Sequence, residues 1–257
     1  ELIPCIQTLA HFTNFRKTKK GKDFLDCDDI LLVGSESTYF LIDKLFEVCH
    51  ECFSSRKINI GMDEAHNLGL GKYLDIHGYQ NRQEILLKHL NKISEIAKKY
   101  NYQCHMWSDM FIRLINHGEY YINDNPDLII DDTIKQIKPN NVNIIYWDYY
   151  SLKEEHYNLH FNLHKCLDDN FFFAGGLHSW VGFSPANQFS LNCLLPAMKA
   201  CQKNEVKNNF SMPKTIKLLS MAQTNKDKRG SNPFSMAAAA KTQAKENAEN
   251  ADLNLVA

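Results

Sequence analysis

Short apolar runs alternate along the chain with longer segments whose apolar residues recur at helical spacing. The short runs are rich in β-branched and aromatic residues and predict strands at residues 2–7, 57–61, 103–107, 142–147 and 171–176. Segments 80–100 and 188–203 have the spacing of helices with one buried face. Because strands that are apolar throughout have both faces covered, the alternation predicts an α/β fold with a parallel sheet.

The number of strands and the residues at their ends favour a (β/α) barrel over a small open sheet. In such barrels the chemistry lies at the carboxyl ends of the strands. Here those ends, at residues 7–11, 61–64, 107–109, 146–149 and 175–180, hold a concentration of acidic and aromatic side chains. The sequence therefore predicts a functional rim at that end of the sheet.

The last part of the chain has a different composition. From about Thr224 it is polar, and it then becomes rich in Ala, Asn and Glu without an apolar stripe. Such a segment has too little apolar surface to build a core of its own. We expect residues 1–212 to form the barrel domain and residues 213–257 to form a tail that is helical or disordered.

Composition narrows the classes of partner. The formal net charge of -1 creates no general field for nucleic acid, and no apolar run approaches the ~18 residues of a membrane span, so neither partner is predicted. Eight cysteines in 257 residues do not make a disulfide scaffold. Cys5, Cys104 and Cys166 lie in apolar runs that predict buried free thiols, and we expect a reducing, cytoplasmic location.

The segment KINIGMDEAHNLGLGKY places two adjacent acids, Asp63 and Glu64, just after a predicted strand. Neighbouring side chains on an extended chain point to opposite sides, so the two acids could perform different tasks. One could donate a proton while the other holds a substrate group. Adjacent acids are also common in surface loops, and the pair alone does not decide between these interpretations.

The longer segment IGMDEAHNLGLGKYLDIHG resembles the signature of family 20 glycoside hydrolases, in the branch that contains hexosaminidase D. Four further segments follow the same family order: ELIPCIQTLAH, CHMWSDMF, IIYWDYY and FFFAGGLHSWVGFSP. The resemblance covers roughly residues 1–201. It implies a TIM barrel of the (β/α)8 type, incomplete here, with about strands three to seven of eight.

The resemblance also implies a reaction. The family are exo-β-N-acetylhexosaminidases, which release terminal non-reducing β-linked GlcNAc or GalNAc with retention, the acetamide oxygen of the sugar acting as nucleophile. By match to the motif, Glu64 would protonate the leaving oxygen and later deprotonate water. Asp63 would accept a hydrogen bond from the acetamide N–H and stabilise the oxazolinium intermediate. No cofactor is implied, and the expected partner is an N-acetylhexosamine-containing glycan.

Six further residues are predicted to bind substrate. The chain's three tryptophans each lie at or just after the end of a predicted strand. This placement favours one sugar cavity lined by all three, although any one alone is more typical of a core aromatic. A tyrosine hydroxyl could orient the acetamide oxygen. The histidine could contact a sugar hydroxyl or support Asp63, and the remaining acid could bond sugar hydroxyls or orient a pocket side chain. The predicted substrate-binding residues are His11, Trp107, Asp109, Trp147, Tyr149 and Trp180.

The sequence also departs from the family pattern. The resemblance implies two strands before Glu1, the first with a sugar-gripping arginine, and an eighth strand with a tryptophan motif. We therefore expect the 257-residue chain alone to be weakly active or inactive. Two alternatives stay open: a catalytically impaired sugar-binding or vestigial protein, and a metal-dependent barrel hydrolase. Histidines near strand ends form no compact ligand motif, so no metal is predicted. The GlcNAc or GalNAc preference and the oligomeric state are left open.

Overall fold

A computed structural model of the chain describes residues 1–130, 138–176, 178 and 183–206. Four strands and eight helices occur within this part of the chain. In chain order they are α1 Thr13–Arg16, α2 Gly21–Phe24, α3 Glu36–Cys52, β1 Lys57–Asn59, α4 Lys72–His77, α5 Arg82–Lys99, β2 Gln103–Trp107, α6 Asp109–Arg113, β3 Val142–Trp147, α7 Glu154–Leu167, β4 Phe172–Ala174 and α8 Asn187–Lys203. Helices of 14 to 18 residues follow β1, β3 and β4.

The four strands form one parallel sheet in the order β1-β2-β3-β4, which is also their order along the chain. The predicted first strand extends this sheet by a single parallel bridge between Cys5 and Asn59. Backbone bonds from Asn59 N to Pro4 O (2.9 Å) and from Ile6 N to Asn59 O (2.8 Å) support it. The predicted α/β fold with a parallel sheet is confirmed. Closure into a barrel and the tail remain predictions, and residues 213–257 lie outside the described part.

Helix α5 shows why the periodic segments fold as they do. The Asn81 side chain accepts a hydrogen bond from Gln83 N (2.9 Å) and so caps its first turn. Ile85, Leu86 and Ile93 are buried against the sheet as their spacing predicts, while Ile96 is only partly buried. The amphipathic pattern therefore fixes which face of the helix covers the strands.

Helical spacing in α3 predicts that Leu41, Leu45, Val48 and Cys52 pack against the core. This prediction is wrong by one position, because Cys52 is exposed and the other three are only partly buried. The structure buries Thr38, Ile42, Phe46 and Cys49. A neighbouring stripe at the same spacing was available in the sequence, and contacts with Tyr100 and Tyr102 select the one that includes Phe46.

The cysteines are all free thiols, with no disulfide among the eight. Cys104 is buried as predicted, but Cys5 and Cys166 are exposed, because the first lies on the edge segment and the second on the outer side of α7. No helix in the described ranges has both the length and the apolar character needed to cross a bilayer.

Candidate active site at the strand ends

The predicted rim exists, because the loops that follow β1, β2 and β3 leave the sheet at the same edge. Parallel strands place all their carboxyl ends together, and the segment that pairs with Asn59 adds a further loop beside β1. Asp63 follows β1, Asp109 follows β2 and Tyr149 follows β3. Residues far apart in sequence are thereby brought to one place.

Asp63 and Glu64 converge on one histidine. His11 Nε2 lies 3.1 Å from Asp63 Oδ2 and 3.6 Å from Glu64 Oε2. The other oxygen of Asp63 accepts a hydrogen bond from Gln7 Nε2 at 3.2 Å. The Asp63 side chain is 9% exposed and that of Glu64 is 41% exposed. The pair therefore combines a fixed, buried carboxylate with one that solvent reaches.

The backbone of this loop explains the convergence. Met62 and Glu64 have positive φ angles of 70° and 54°, and His11 has 68°. The expectation that the acids lie on an extended chain and point to opposite sides is therefore wrong. Left-handed conformations at non-glycine residues cost of order 1–3 kcal/mol each and persist where the surroundings enforce them. Their concentration on either side of Asp63 makes this loop the candidate functional site.

Gly61 makes the tight entry to this loop possible. Its φ angle is +69°, and a Cβ atom there would lie 2.0 Å from Gln7 Oε1 and 3.1 Å from Ile6 O. We expect Gly61→Ala to destabilise the chain by about 2–4 kcal/mol, through the left-handed backbone and the displacement of Gln7. Urea denaturation monitored by circular dichroism measures the change.

Gly78→Ala is the matched control for this substitution. Gly78 has nearly the same φ angle, +70°, but a Cβ atom there would meet nothing within 4 Å. Its replacement therefore includes the backbone penalty without the crowding. Its ψ of -179° lies in a region that only glycine adopts readily, so we expect the replacement to cost of order 1–3 kcal/mol. Equal losses for the two variants would show that Gly61 is not crowded by Gln7.

Asp109 lies beneath the loop that carries Asp63 and Glu64. Its side chain is fully buried, its Oδ2 accepts the backbone N–H of Glu64 at 2.9 Å, and Arg113 Nε lies 3.4 Å from the same oxygen. Burial, with the nearby charge of Asp63, raises the pKa of Asp109 to about 7. Asp109 thus orients the backbone of Glu64, a role different from the sugar-hydroxyl contact or the orientation of a pocket side chain that the sequence suggested.

An aromatic group stands beside the acids. Tyr149 is buried, and burial together with the charge of Asp63 raises the pKa of its hydroxyl well above the ordinary value, which keeps it protonated. Trp147 stacks on Tyr149 with ring centroids 5.5 Å apart and contacts Tyr120 at 4.8 Å. The two predicted residues are therefore in contact, and Tyr120 supports them.

Asp148 fixes the turn that carries these rings. Its Oδ2 accepts from the Tyr146 hydroxyl (2.8 Å) and lies 2.6 Å from His156 Nε2, and its Oδ1 accepts from Tyr150 N (2.9 Å). Burial opposes ionisation of Asp148, yet the hydrogen bonds from His156 and Tyr150 hold its pKa below the ordinary value. The sequence did not single out His156 or Tyr120, because their partners lie on other elements.

Two of the three tryptophans, Trp107 and Trp147, share one apolar cluster. Trp107 is buried and packs with Ile145 and Ala174, and the partly buried Trp147 contacts the same cluster. Trp180 lies outside the described residues. The structure therefore brings Trp107 and Trp147 together below the rim, and the predicted role of Trp180 stays a prediction.

The same donors have the spacing of metal ligands. One atom each from His11, Asp63 and Glu64 can be chosen so that all three lie within 4.8 Å of one another. Imidazole and carboxylate donors suit zinc, and three protein ligands with an open fourth position are typical of catalytic zinc. The geometry therefore permits the metal-dependent alternative, with these three residues as the ligands.

Comparison with models of known protein families gives no match, and comparison with curated protein sequences gives none either. Solved structures do match. An exo β-N-acetylglucosaminidase of family GH20 from Vibrio harveyi is 15% identical with a TM-score of 0.42, over 68% of this chain and 25% of that one. Dispersin B is 16% identical with a TM-score of 0.45, over 79% of this chain and 56% of that one.

A tandem GH20 module structure of the pneumococcal exo-β-D-N-acetylglucosaminidase is 19% identical with a TM-score of 0.41, over 79% of this chain and 47% of that one. All three are GH20 structures. That is the family that the sequence resembles. The chain spans between a quarter and just over half the length of these proteins. The roles of the site residues are therefore argued from their own contacts.

Proposed function

We propose that the chain carries the catalytic site of a β-N-acetylhexosaminidase, which releases terminal β-linked GlcNAc or GalNAc by substrate-assisted retaining hydrolysis. The observation that carries this proposal is the unequal acid pair at His11. Asp63 is buried with donors at both oxygens, whereas Glu64 is partly open to solvent. A fixed anion and a solvent-accessible proton carrier are the two groups that the reaction needs.

In this reaction Asp63 accepts a hydrogen bond from the acetamide N–H and stabilises the positive charge that develops on the oxazolinium ring. Gln7 and His11 hold its oxygens in place, so little reorganisation is needed when that charge appears. The Tyr149 hydroxyl, kept protonated by burial beside Asp63, donates to the acetamide oxygen and aims it at the anomeric carbon. These two contacts select a substrate with a 2-acetamido group.

Glu64 is the proton carrier. It protonates the glycosidic oxygen as the leaving group departs and then removes a proton from the water that opens the oxazolinium ring. Asp109 fixes the backbone N–H of Glu64, so the carboxyl is carried on a defined turn rather than a mobile loop. Trp107 and Trp147 form the apolar wall beneath the rim, and Trp180 is proposed to complete it.

Binding of a thiazoline analogue of N-acetylglucosamine tests the proposal, because that ring mimics the cyclised intermediate. We expect the analogue to bind at least about a hundredfold more tightly than N-acetylglucosamine, as a mimic of a charged, reactive species should. Isothermal titration calorimetry on the full chain gives both affinities. Equal affinities would show that the site does not favour the cyclised acetamide.

The same measurement in the presence of a chelator distinguishes the metal-dependent alternative from substrate-assisted hydrolysis. Substrate-assisted cleavage uses no metal, so we expect the analogue's affinity and any turnover to be unchanged by chelation. A hydrolase that uses zinc held by His11, Asp63 and Glu64 would lose turnover on chelation and regain it on addition of zinc.

A further inference from the structure

A series of ring contacts leads from the acid pair to the molecular surface. From Trp147 the ring centroids continue to Tyr149 at 5.5 Å and from there to Tyr150 at 6.0 Å. Tyr150 contacts His178 at 5.6 Å, and His178 contacts Phe189 at 4.7 Å. Each step is within the range of favourable aromatic pairs. The buried end of the series lies beside Asp63 and its outer end lies on α8.

His178 anchors the outer part of this series. It is buried, its Nδ1 lies 3.1 Å from Ser190 Oγ, and its ring is also hydrogen-bonded to the backbone of Tyr149. Its backbone N donates to the same Ser190 Oγ at 2.8 Å, and its carbonyl accepts from Ala186 N at 2.7 Å. The turn after β3 and the first turn of α8 are therefore tied together through one residue.

Tyr150 and Phe189 are the parts of the series that solvent reaches. They are 48% and 38% exposed, and both pack edge-on against the buried His178 ring. Neither ring has a charge. Preorganised aromatic rings bury large areas with little loss of side-chain entropy, which suits recognition of an uncharged ligand with apolar faces. We call Tyr150 and Phe189, supported by His178, the outer platform.

We infer that the outer platform binds the sugar units that follow the terminal N-acetylhexosamine of a glycan chain. This inference rests on the proposed function. With the terminal sugar at Asp63 and Glu64, the rest of the glycan must leave across the surface next to Tyr149. The C–H faces of pyranose rings can stack there on Tyr150 and Phe189. The platform would thus make the site selective for oligosaccharides over simple glycosides.

The test compares two ligands on four proteins, each in a Glu64→Gln background that prevents hydrolysis. The ligands are the monosaccharide-sized thiazoline analogue and the β-1,4-linked trimer of N-acetylglucosamine. The proteins are the parent, Tyr150→Ala/Phe189→Ala, the conservative Tyr150→Phe/Phe189→Tyr and the control Phe40→Ala, which removes a ring that is 64% exposed on α3. Calorimetry gives the affinities and sedimentation velocity gives the oligomeric state.

We expect the alanine pair to weaken trimer binding by about tenfold, as loss of two aromatic contacts implies, with the affinity for the analogue unchanged within about twofold. The conservative pair and Phe40→Ala should behave as the parent. Unchanged trimer affinity in the alanine pair, with normal analogue binding, overturns the outer platform but leaves the proposed function. If the alanine pair abolishes an oligomer of the protein and leaves its affinity for the N-acetylglucosamine trimer unchanged, the outer platform is a surface for self-association and the inference is overturned. Failure of the parent to bind the analogue overturns both proposals.

Discussion

Glu64→Gln is expected to lower hydrolysis of a chromogenic β-N-acetylglucosaminide by about a thousandfold. Glutamine keeps the size and polarity of the side chain but carries no proton that it can give to the leaving oxygen. General acid–base groups contribute typically ~10²–10⁴-fold to rate, and the same residue serves in both steps here. Because the thiazoline analogue already has a closed ring, its affinity should change by only about threefold.

The measurement is initial-rate release of the chromophore at high protein concentration, since the chain alone is expected to turn over slowly. Glu51→Gln, at an exposed position on α3, is the matched control and should keep parental activity. If Glu64→Gln hydrolyses as fast as the parent, Glu64 is not the proton carrier. If the parent binds the analogue but shows no turnover, the sugar-binding alternative replaces the hydrolase.

The strands and the longest helices could be predicted because their signals are local. The run Gln103–Trp107 carries Cys104, Met106 and Trp107 and ends at the polar Ser108, and Arg82–Lys99 has a continuous apolar stripe. Both were predicted within two residues of their observed bounds. The segment at Cys5 was predicted as a full strand, but it pairs with only one neighbour and forms a single bridge.

The convergence of the acid pair could not be predicted from alternation along an extended chain. It depends on left-handed backbone at Met62 and Glu64, which local propensity disfavours for both residue types. The surroundings enforce it: Asp109, from the loop after β2, accepts the N–H of Glu64. Asp63 takes its donors from Gln7 and His11, more than fifty residues earlier in the chain. Such partners are set by the sheet and not by the motif.

The histidines show the same distinction between position and role. His105 is one of the histidines near predicted strand ends, and the structure buries it with its ring against Phe172. His160 and His164 were not singled out, yet they form part of the buried layer between α7 and β3. In each case burial, which depends on the whole fold, decides that the residue is structural.

Acidification is expected to destabilise the chain by several kcal/mol between pH 7.5 and pH 5. Burial is the main cause that lowers the pKa values of four histidines: to about 4 for His89, His105 and His164, and to about 3 for His160. Below about pH 6.5 the unfolded chain takes up protons that the folded chain excludes. The stability that these residues contribute is therefore complete above pH 6.5 and is lost as the pH falls toward 4.

The size of the effect follows from the same linkage. At pH 5 each of the four histidines should disfavour folding by about 2 kcal/mol relative to pH 7.5. Asp109 acts in the opposite direction, because its pKa is raised to about 7 and the folded chain keeps its proton as the unfolded chain loses it. The stability that Asp109 adds on acidification offsets the loss caused by roughly one histidine. The net change should still be a loss of stability in acid.

Urea denaturation at the two pH values measures this loss, and His160→Phe isolates one contribution. His160 stacks on Tyr146 with the rings 8° from parallel, and a phenyl ring can keep that contact while removing the titrating group. We expect the variant to lose about 2 kcal/mol less than the parent on acidification. His117→Gln, at an exposed position, should leave the pH dependence unchanged. Equal unfolding free energies at pH 7.5 and pH 5 in the parent would contradict burial of these rings in their neutral form. The packing of α7 against β3 through His160 and His164 would then be wrong.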